Sequence, residues 1–511
     1  MVTLGPRPLT VEEVVAVARG GDPVAVDPEL EAAMRPARAL VEEIVAAGRT
    51  AYGVTTGFGA LSTTRVSPAQ AAQVQQRLVQ SHAAGMGAFV EAEVVRAMQL
   101  LRARTLAAGA SGVRPALVRA IADLLNAGIV PAVPEAGSLG ASGDLAPLAH
   151  SALVLAGGGW VLDGQGRAVP AGPVLERAGI EPISFEAKEG LALLNGTEGM
   201  LAHLCLAMSD LRVVLATADV ACAMSVEALR GTDAAFSAAI HELRPHPGQL
   251  ASAANLRRLL DGSAIVASHR HSEHAVQDAY SIRCAPQVHG ATRDAVAHAG
   301  RVTAIELGSV VDNPVVLIEG GSGTLVSTGN FHGQVLAHAA DFLALSLVAL
   351  GSIAERRIDR MMDPARSDGL PPFLAPEAGI NSGFMLAHYT AAALVNRLRG
   401  HAAPSSADSI PTSGGQEDHV SMGWNACRAM RRAVSDVTSV VAIEAVCASE
   451  ALELRSLPSA PATAAVVGAL RRRVPPMDVD RFLAPDLAAA AEMVADGTLL
   501  AAAEGSCGPL Q

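Results

Sequence analysis

Aromatic residues make up only 3% of this 511-residue chain, and charged residues only 17%. With so few charges and 50% hydrophobic residues, the chain does not have the composition of a disordered segment. Basic residues are outnumbered, Lys+Arg 38 against Asp+Glu 50, for a net charge of −12, so the footprint of a nucleic-acid binder is missing. The six cysteines are scattered without a CxxC, which argues against a disulfide scaffold or a zinc module and suits a reducing, cytoplasmic setting. The apolar stretch Phe342–Ala354 falls short of the roughly 20 residues needed to cross a bilayer, so no membrane span is expected. No basic region followed by an apolar run opens the sequence, so no signal peptide is expected either.

What remains is mostly helical pattern. Thr10-Val-Glu-Glu13 is a capping box. Leu30, Met34, Ala37, Leu40, Val41, Ile44 and Val45 form one helix face, and Pro115 opens a helix that Gly128 can stop. Long Ala/Leu/Val-rich stretches over 200–230, 332–358, 381–400 and 426–453 predict a bundle of long helices and, from the apolar surface they carry, an oligomer. Two short hairpins are expected, at Trp160–Val169 and Val315–Val326. The expected architecture is mainly α, with an N-terminal domain over 1–199, a central long-helix bundle over 200–454 and a helical segment over 455–511 beyond the looser Ser456–Pro461.

Gly and polar residues gather in islands between the helices, where a helical scaffold carries function. Tyr52-Gly-Val-Thr-Thr-Gly-Phe-Gly59 holds one of only three tyrosines, the others being Tyr280 and Tyr389. In Gly137-Ser-Leu-Gly-Ala-Ser-Gly-Asp-Leu-Ala-Pro-Leu148, the missing Cβ of Gly143 lets its nitrogen approach the Ala141 carbonyl. Ring closure with loss of water, then loss of a second water from Ser142, would leave a methylidene-imidazolone, an electrophile that no ordinary side chain provides. Further islands are Leu193-Leu-Asn195-Gly-Thr-Glu198, Gln277-Asp-Ala-Tyr280-Ser-Ile-Arg283, Gly329-Asn-Phe331-His332 and Gly415-Gln-Glu417-Asp-His419. Gln277, Tyr280 and Arg283 are three apart, so a helical turn or tight loop would aim them one way, and Arg283 could hold a carboxylate with two parallel bonds.

In this order the islands resemble the aromatic amino acid ammonia-lyases that use a methylidene-imidazolone group, over about Leu9 to Trp424. The anchors are YGVTTGFG, SHAAG, GSLGASGDLAPLAH, LLNGT, QDAYSIRCAPQV, GNFH, SGFM and QEDHVSMG. The resemblance implies the helical fumarase/aspartase-like superfamily and a homotetramer with active sites shared between subunits. It also implies a prosthetic group formed autocatalytically from Ala141, Ser142 and Gly143, an amino acid substrate, no nucleic-acid or membrane partner, and no required metal. By the same resemblance Tyr52 is the general base and Tyr280 the second active-site tyrosine, with Gln277 a polar neighbour. Arg283 binds the substrate carboxylate, Asn195 bonds the prosthetic group, and Phe331 lines the pocket. Whether the substrate's amine or its ring adds to the group stays open.

Two positions imply the substrate. His82 and Glu417 stand where the members acting on histidine carry these residues, and they can pair with both nitrogens of an imidazole. The implied reaction is non-oxidative deamination of L-histidine to trans-urocanate and ammonia, the first step of histidine degradation. A tyrosine or phenylalanine lyase or 2,3-aminomutase is the alternative, and a non-catalytic helical scaffold a third. The chain departs from the common pattern at Glu198, Gly414-Gly415, His289 and Asn396-Arg397, which touches the tuning of the pocket but not the core reaction. His269, His271 and His274, with Glu273, could suggest a metal cluster, but no second ligand pair completes it and a polar loop is expected; His241 and His246 read as loop packing.

Overall fold

The computed structural model describes residues 1–270 and 276–511. Helices dominate, and among the described residues strands occur only as four two-stranded pairs. Two are the expected antiparallel hairpins, with Val161 opposite Val169 and Leu317 opposite Thr324. The other two, Val2–Leu4 parallel to Val24–Val26 and Met86–Phe89 against Pro134–Ala136, were not expected, because such short strands are too brief to show an alternating pattern.

Thr10 caps the Val11–Ala18 helix: its hydroxyl accepts from Glu13 N while the Glu13 carboxylate accepts from Thr10 N at 3.0 Å. The Leu30–Ala46 helix buries Leu30, Met34, Ala37, Val41 and Ile44 along one face and carries the exposed Pro36 on the other. Pro115 occupies the first turn of Pro115–Asn126, and Gly128 follows with φ +66°. The long apolar stretches are helices at Glu198–Ala228, Gln334–Met362, Met385–His401 and Gly423–Glu453. Two of them, Glu198–Ala228 and Gln334–Met362, are long and apolar enough to cross a membrane, where the sequence suggested none. The difference arises because a scattered charge breaks a run in the sequence without making a helix polar. In this fold 72% and 61% of their apolar windows are buried inside the protein, which accounts for their composition.

The chain divides into two compact units, residues 1–209, 299–340 and 404–428 in one and 210–298, 341–403 and 429–511 in the other. In the first unit, Ala37, Val41, Ile44, Val54, Ala71 and Val316 form a buried cluster. Val54 belongs to the YGVTTGFG loop, so this core anchors the loop from its middle. In the second unit, Pro461–Leu470 packs on Thr498–Cys507 and on Pro247–Leu259.

Thr10→Ala removes the hydroxyl of the capping box, and stability should fall by about 1 kcal/mol in equilibrium denaturation, with the same secondary structure retained. A change near zero would mean the cap contributes nothing here.

Candidate active site

The first unit holds a cavity of about 560 Å³ lined by Tyr52, His82, Ser142, Asn195 and Glu417, a size suited to a small ligand. Its apolar wall includes Phe58, Val74, Leu78, Leu145, Leu191 and Leu194. Each polar group is delivered by a different element.

The Ala71–His82 helix turns Val74, Leu78, Ser81 and His82 toward the cavity, because residues three and four apart share a helix face. His82 Nδ1 lies 2.9 Å from the Leu78 carbonyl and 3.1 Å from Ser81 Oγ. Burial lowers the His82 pKa, against the opposing pull of the Leu78 carbonyl and of the Glu417 charge, so the imidazole is neutral at neutral pH. On the next face of this helix, Gln75 is 1% exposed. It donates to the Gly53 carbonyl at 3.1 Å and accepts from Leu191 N at 2.9 Å, tying the tyrosine loop to the wall. Sequence reasoning passed over Gln75; its place two turns before His82 was the available signal.

Within the tyrosine loop, Thr55 Oγ1 donates to the Arg49 carbonyl at 2.6 Å and Gly53 N donates to Thr56 Oγ1 at 3.1 Å. The Tyr52 hydroxyl accepts from Gly59 N at 3.1 Å. Glu417 is held by Thr412, whose Oγ1 donates to Glu417 Oε2 at 3.0 Å and whose N donates to the Glu417 carbonyl at 3.0 Å. Ser413, also unremarked in the sequence, accepts from Ala60 N at 3.3 Å and joins this loop to the tyrosine loop.

Ser142 sits at the tip of a turn closed by a bridge between Gly140 and Gly143. Its φ of +50° is in the left-handed region, unusual for a residue with a Cβ. Gly143 has φ +78°, and a Cβ there would lie 2.1 Å from the Gly196 carbonyl oxygen. Asp144 N donates to that same oxygen at 2.7 Å. Asn195, just before Gly196, is 2% exposed; its Nδ2 donates to the Asn313 carbonyl at 2.7 Å, and its Oδ1 is buried without a partner. A tight turn that tolerates no side chain at its third residue, beside a buried acceptor facing the same cavity, fits the prosthetic group that the Ala141-Ser142-Gly143 string implies.

Of the other candidates, Phe331 lies in the Gly329–His332 turn of the same unit but does not line the cavity. In the second unit, Tyr280 and Arg283 share the short helix Tyr280–Arg283, with the guanidinium 4.5 Å from the ring centroid. Gln277 precedes that helix, which starts at Tyr280, and lines a separate cavity with Arg230 and Arg360.

Of the positions that the sequence sets apart from the common pattern, Glu198 is buried and Arg397 exposed, and both are paired. Glu198 pairs with Arg102 at 3.0 Å, and the same guanidinium donates to the Asn195 carbonyl at 3.1 Å. Arg397 pairs with Asp436. His269 is buried with Nε2 3.0 Å from the Gly231 carbonyl, and His241 is held between Ala235 O and Gln249. His271, Glu273 and His274 lie outside the described residues; among the described residues no group of three or more potential metal ligands converges.

A family model described as aromatic amino acid lyase matches residues 9–472. The chain belongs to the aromatic amino acid lyase family. The histidine ammonia-lyase of Streptomyces avermitilis is 52% identical, covering 100% of this chain and 99% of that protein. The histidine ammonia-lyase of Gloeobacter violaceus is 48% identical over 98% of this chain and 97% of its own length. Among solved structures, tyrosine aminomutase from Streptomyces globisporus superposes with a TM-score of 0.95 at 39% identity over 100% of both chains. Histidine ammonia-lyase from Trypanosoma cruzi gives 0.91 at 39% identity, covering 99% of this chain and 95% of that one. Family members with different reactions thus share this backbone, so the choice among reactions rests on side chains.

Asp144 offers a test of the turn's surroundings. It is fully buried and accepts from Ser138 Oγ at 3.2 Å and Met200 N at 2.9 Å. Burial, with a further push from the Glu198 charge, raises its carboxyl to about 7. Unfolded, the group titrates near 4, so between about pH 4 and pH 7 the folded chain keeps a proton that the unfolded chain has released. Its contribution to stability is therefore present at low pH and is lost as pH rises through that window. Asp144→Asn cannot ionise, so its stability should fall less than wild type's between about pH 5 and pH 8 in chemical denaturation; equal slopes would refute the assignment.

Proposed function

We propose that this chain removes ammonia from L-histidine without oxidation, giving trans-urocanate, the first step of histidine degradation. The observation that carries this is the single cavity shared by Tyr52, Ser142 and Asn195 with His82 and Glu417. The names of the relatives at 52% and 48% identity support it.

A methylidene-imidazolone formed from Ala141, Ser142 and Gly143 would supply the electrophile that makes the substrate nitrogen a better leaving group. The rest is done by side chains. The Tyr52 oxygen, as general base, takes the β-proton; the electron pair of that C–H bond becomes the new C=C bond as the C–N bond breaks and ammonia departs. Asn195 Oδ1, a buried acceptor, receives a hydrogen bond from the substrate nitrogen. Arg283, Tyr280, Gln277 and Phe331, which do not line this cavity within one chain, reach it from neighbouring copies: Arg283 holds the carboxylate, Tyr280 and Gln277 complete the polar wall, and Phe331 adds an apolar one. Neutral His82 and the Glu417 side chain meet the two nitrogens of the imidazole. A phenyl or phenol ring would leave at least one of them buried and unpaired, which disfavours tyrosine or phenylalanine as substrate. The active enzyme is a cytoplasmic homotetramer in which residues from more than one subunit form each site; Tyr280, 71% exposed on the chain alone, suits a residue supplied to a neighbouring copy.

Incubation with L-histidine should produce the ultraviolet absorbance of urocanate, and the intact protein should be lighter than its sequence by two waters. Ser142→Ala should fold, fail to lose the second of the two waters and turn over almost nothing. Turnover of tyrosine or phenylalanine but not histidine, or a β-amino acid as product, would favour the aminomutase or the other lyases instead.

Glu417→Gln replaces a charge-assisted hydrogen bond to the imidazole with a neutral one, a loss on the order of 1–3 kcal/mol in transition-state binding of histidine. His82→Leu should weaken histidine use and ease entry of an apolar ring. The ratio of kcat/KM for histidine to that for tyrosine, measured in wild type and both variants, checks this; an unchanged ratio would mean the ring is recognised elsewhere.

A further inference from the structure

The turn that carries Tyr280 and Arg283 is held by buried charges that none of the steps above uses. Arg357 is 0% exposed, and its Nη1 donates to the Ser281 carbonyl at 3.1 Å. Its Nε and Nη2 bind the two oxygens of Glu444, also 0% exposed, with Nη2 at 2.8 Å. On the other flank, His289 Nε2 is 3.5 Å from Arg357 Nη1, and His289 Nδ1 is 2.7 Å from Asp219 Oδ1. Asp219 is anchored in turn by Ser252 at 2.6 Å and by Arg293 at 2.7 Å.

The charges balance, two guanidiniums against two carboxylates, only if His289 is neutral. Burial lowers its pKa, against the pull of Asp219, which agrees with that count. Asp219 is held at about 2: burial pushes it up, but Arg293 and His289 outweigh it. An ionised Asp219 can only accept, so Nδ1 of His289 carries the proton and its Nε2 lone pair faces an Arg357 N–H. The imidazole thus orients the guanidinium from one side while Glu444 orients it from the other, and the remaining donor is left for the Ser281 carbonyl. A buried network of this sort constrains geometry more than it adds stability.

We propose that His289 and Arg357 are positioning residues that set the Tyr280–Arg283 turn, and with it the guanidinium that receives the substrate carboxylate. The proposal deepens the histidine-deaminating reading and rests on it for the kinetic arm alone. His289→Leu removes both contacts, whereas His289→Gln can still donate to Asp219 and accept from Arg357. Hydrogen exchange of the full-length protein should show the amides of Ser281–Cys284 exchanging on the order of tenfold faster in His289→Leu and near the wild-type rate in His289→Gln. The KM for L-histidine should rise by a similar factor in His289→Leu with a smaller change in kcat, and His289→Gln should restore it. If His289→Leu does not melt cooperatively, Arg357→Lys, which keeps the charge but loses the fork, should give the same two signatures. Unchanged exchange and KM in a folded His289→Leu, or a Gln variant as impaired as the Leu variant, would overturn the proposal. Wild type that leaves L-histidine untouched would overturn the functional reading instead, and the exchange measurement would still decide this one.

Discussion

The contact between the backbones of Gly143 and Gly196 governs the site. Asp144 N meets the Gly196 carbonyl at 2.7 Å, and a Cβ on Gly143 would sit 2.1 Å from that oxygen. Two chain segments can come this close only where neither carries a side chain at the crossing. The approach puts Asn195 beside Ser142 and aims the Asp144 carboxyl at the first N–H groups of the Glu198–Ala228 helix, where Met200 N donates to it at 2.9 Å. The unpaired donors of a helix start suit such an acceptor. The turn, the pocket wall and the helix start are thus one unit of structure.

Around this crossing, buried charge does the work that regular secondary structure does elsewhere. Lys188 and Asp312, both 0% exposed, pair at 2.8 Å. Arg102 bridges Glu198 and the Asn195 carbonyl. Removing one partner of such a pair leaves an uncompensated buried charge, which is far more costly than the pair is stabilising. The loops themselves are tied by single side chains: Thr55 and Thr56 inside the tyrosine loop, Gln75 between that loop and Leu191, and Thr412 beneath Glu417. The second unit repeats the device around Asp219, His289 and Arg357.

Tyrosine aminomutase from Streptomyces globisporus shares this backbone at a TM-score of 0.95, as does histidine ammonia-lyase from Trypanosoma cruzi at 0.91. The backbone alone therefore does not choose among reactions, and on the reading proposed above the residues at 82 and 417 carry the distinction between substrates. His82, kept neutral by burial and lying within the field of Glu417, is a group whose value depends on what ring it meets.

Local order was legible in the sequence because its causes are local. The capping box at Thr10, the proline start at Pro115, the hairpins near 160 and 315 and the long helices each follow from residues within a few positions of one another. The candidate residues of the cavity were legible too, since Tyr52, His82, Ser142, Asn195 and Glu417 stand in short distinctive strings. What the sequence could not decide was which strings converge, because Ser142 and Glu417 are brought together by packing across hundreds of positions. It could not show that Gln277 lies outside the turn that carries Tyr280 and Arg283, since equal spacing does not say where a helix begins. Nor could it mark Gln75, Arg102 or His289 as structural: a polar residue in a helix reads as solvent-facing until tertiary contacts supply its partners, and burial is a property of the neighbours rather than of the residue itself.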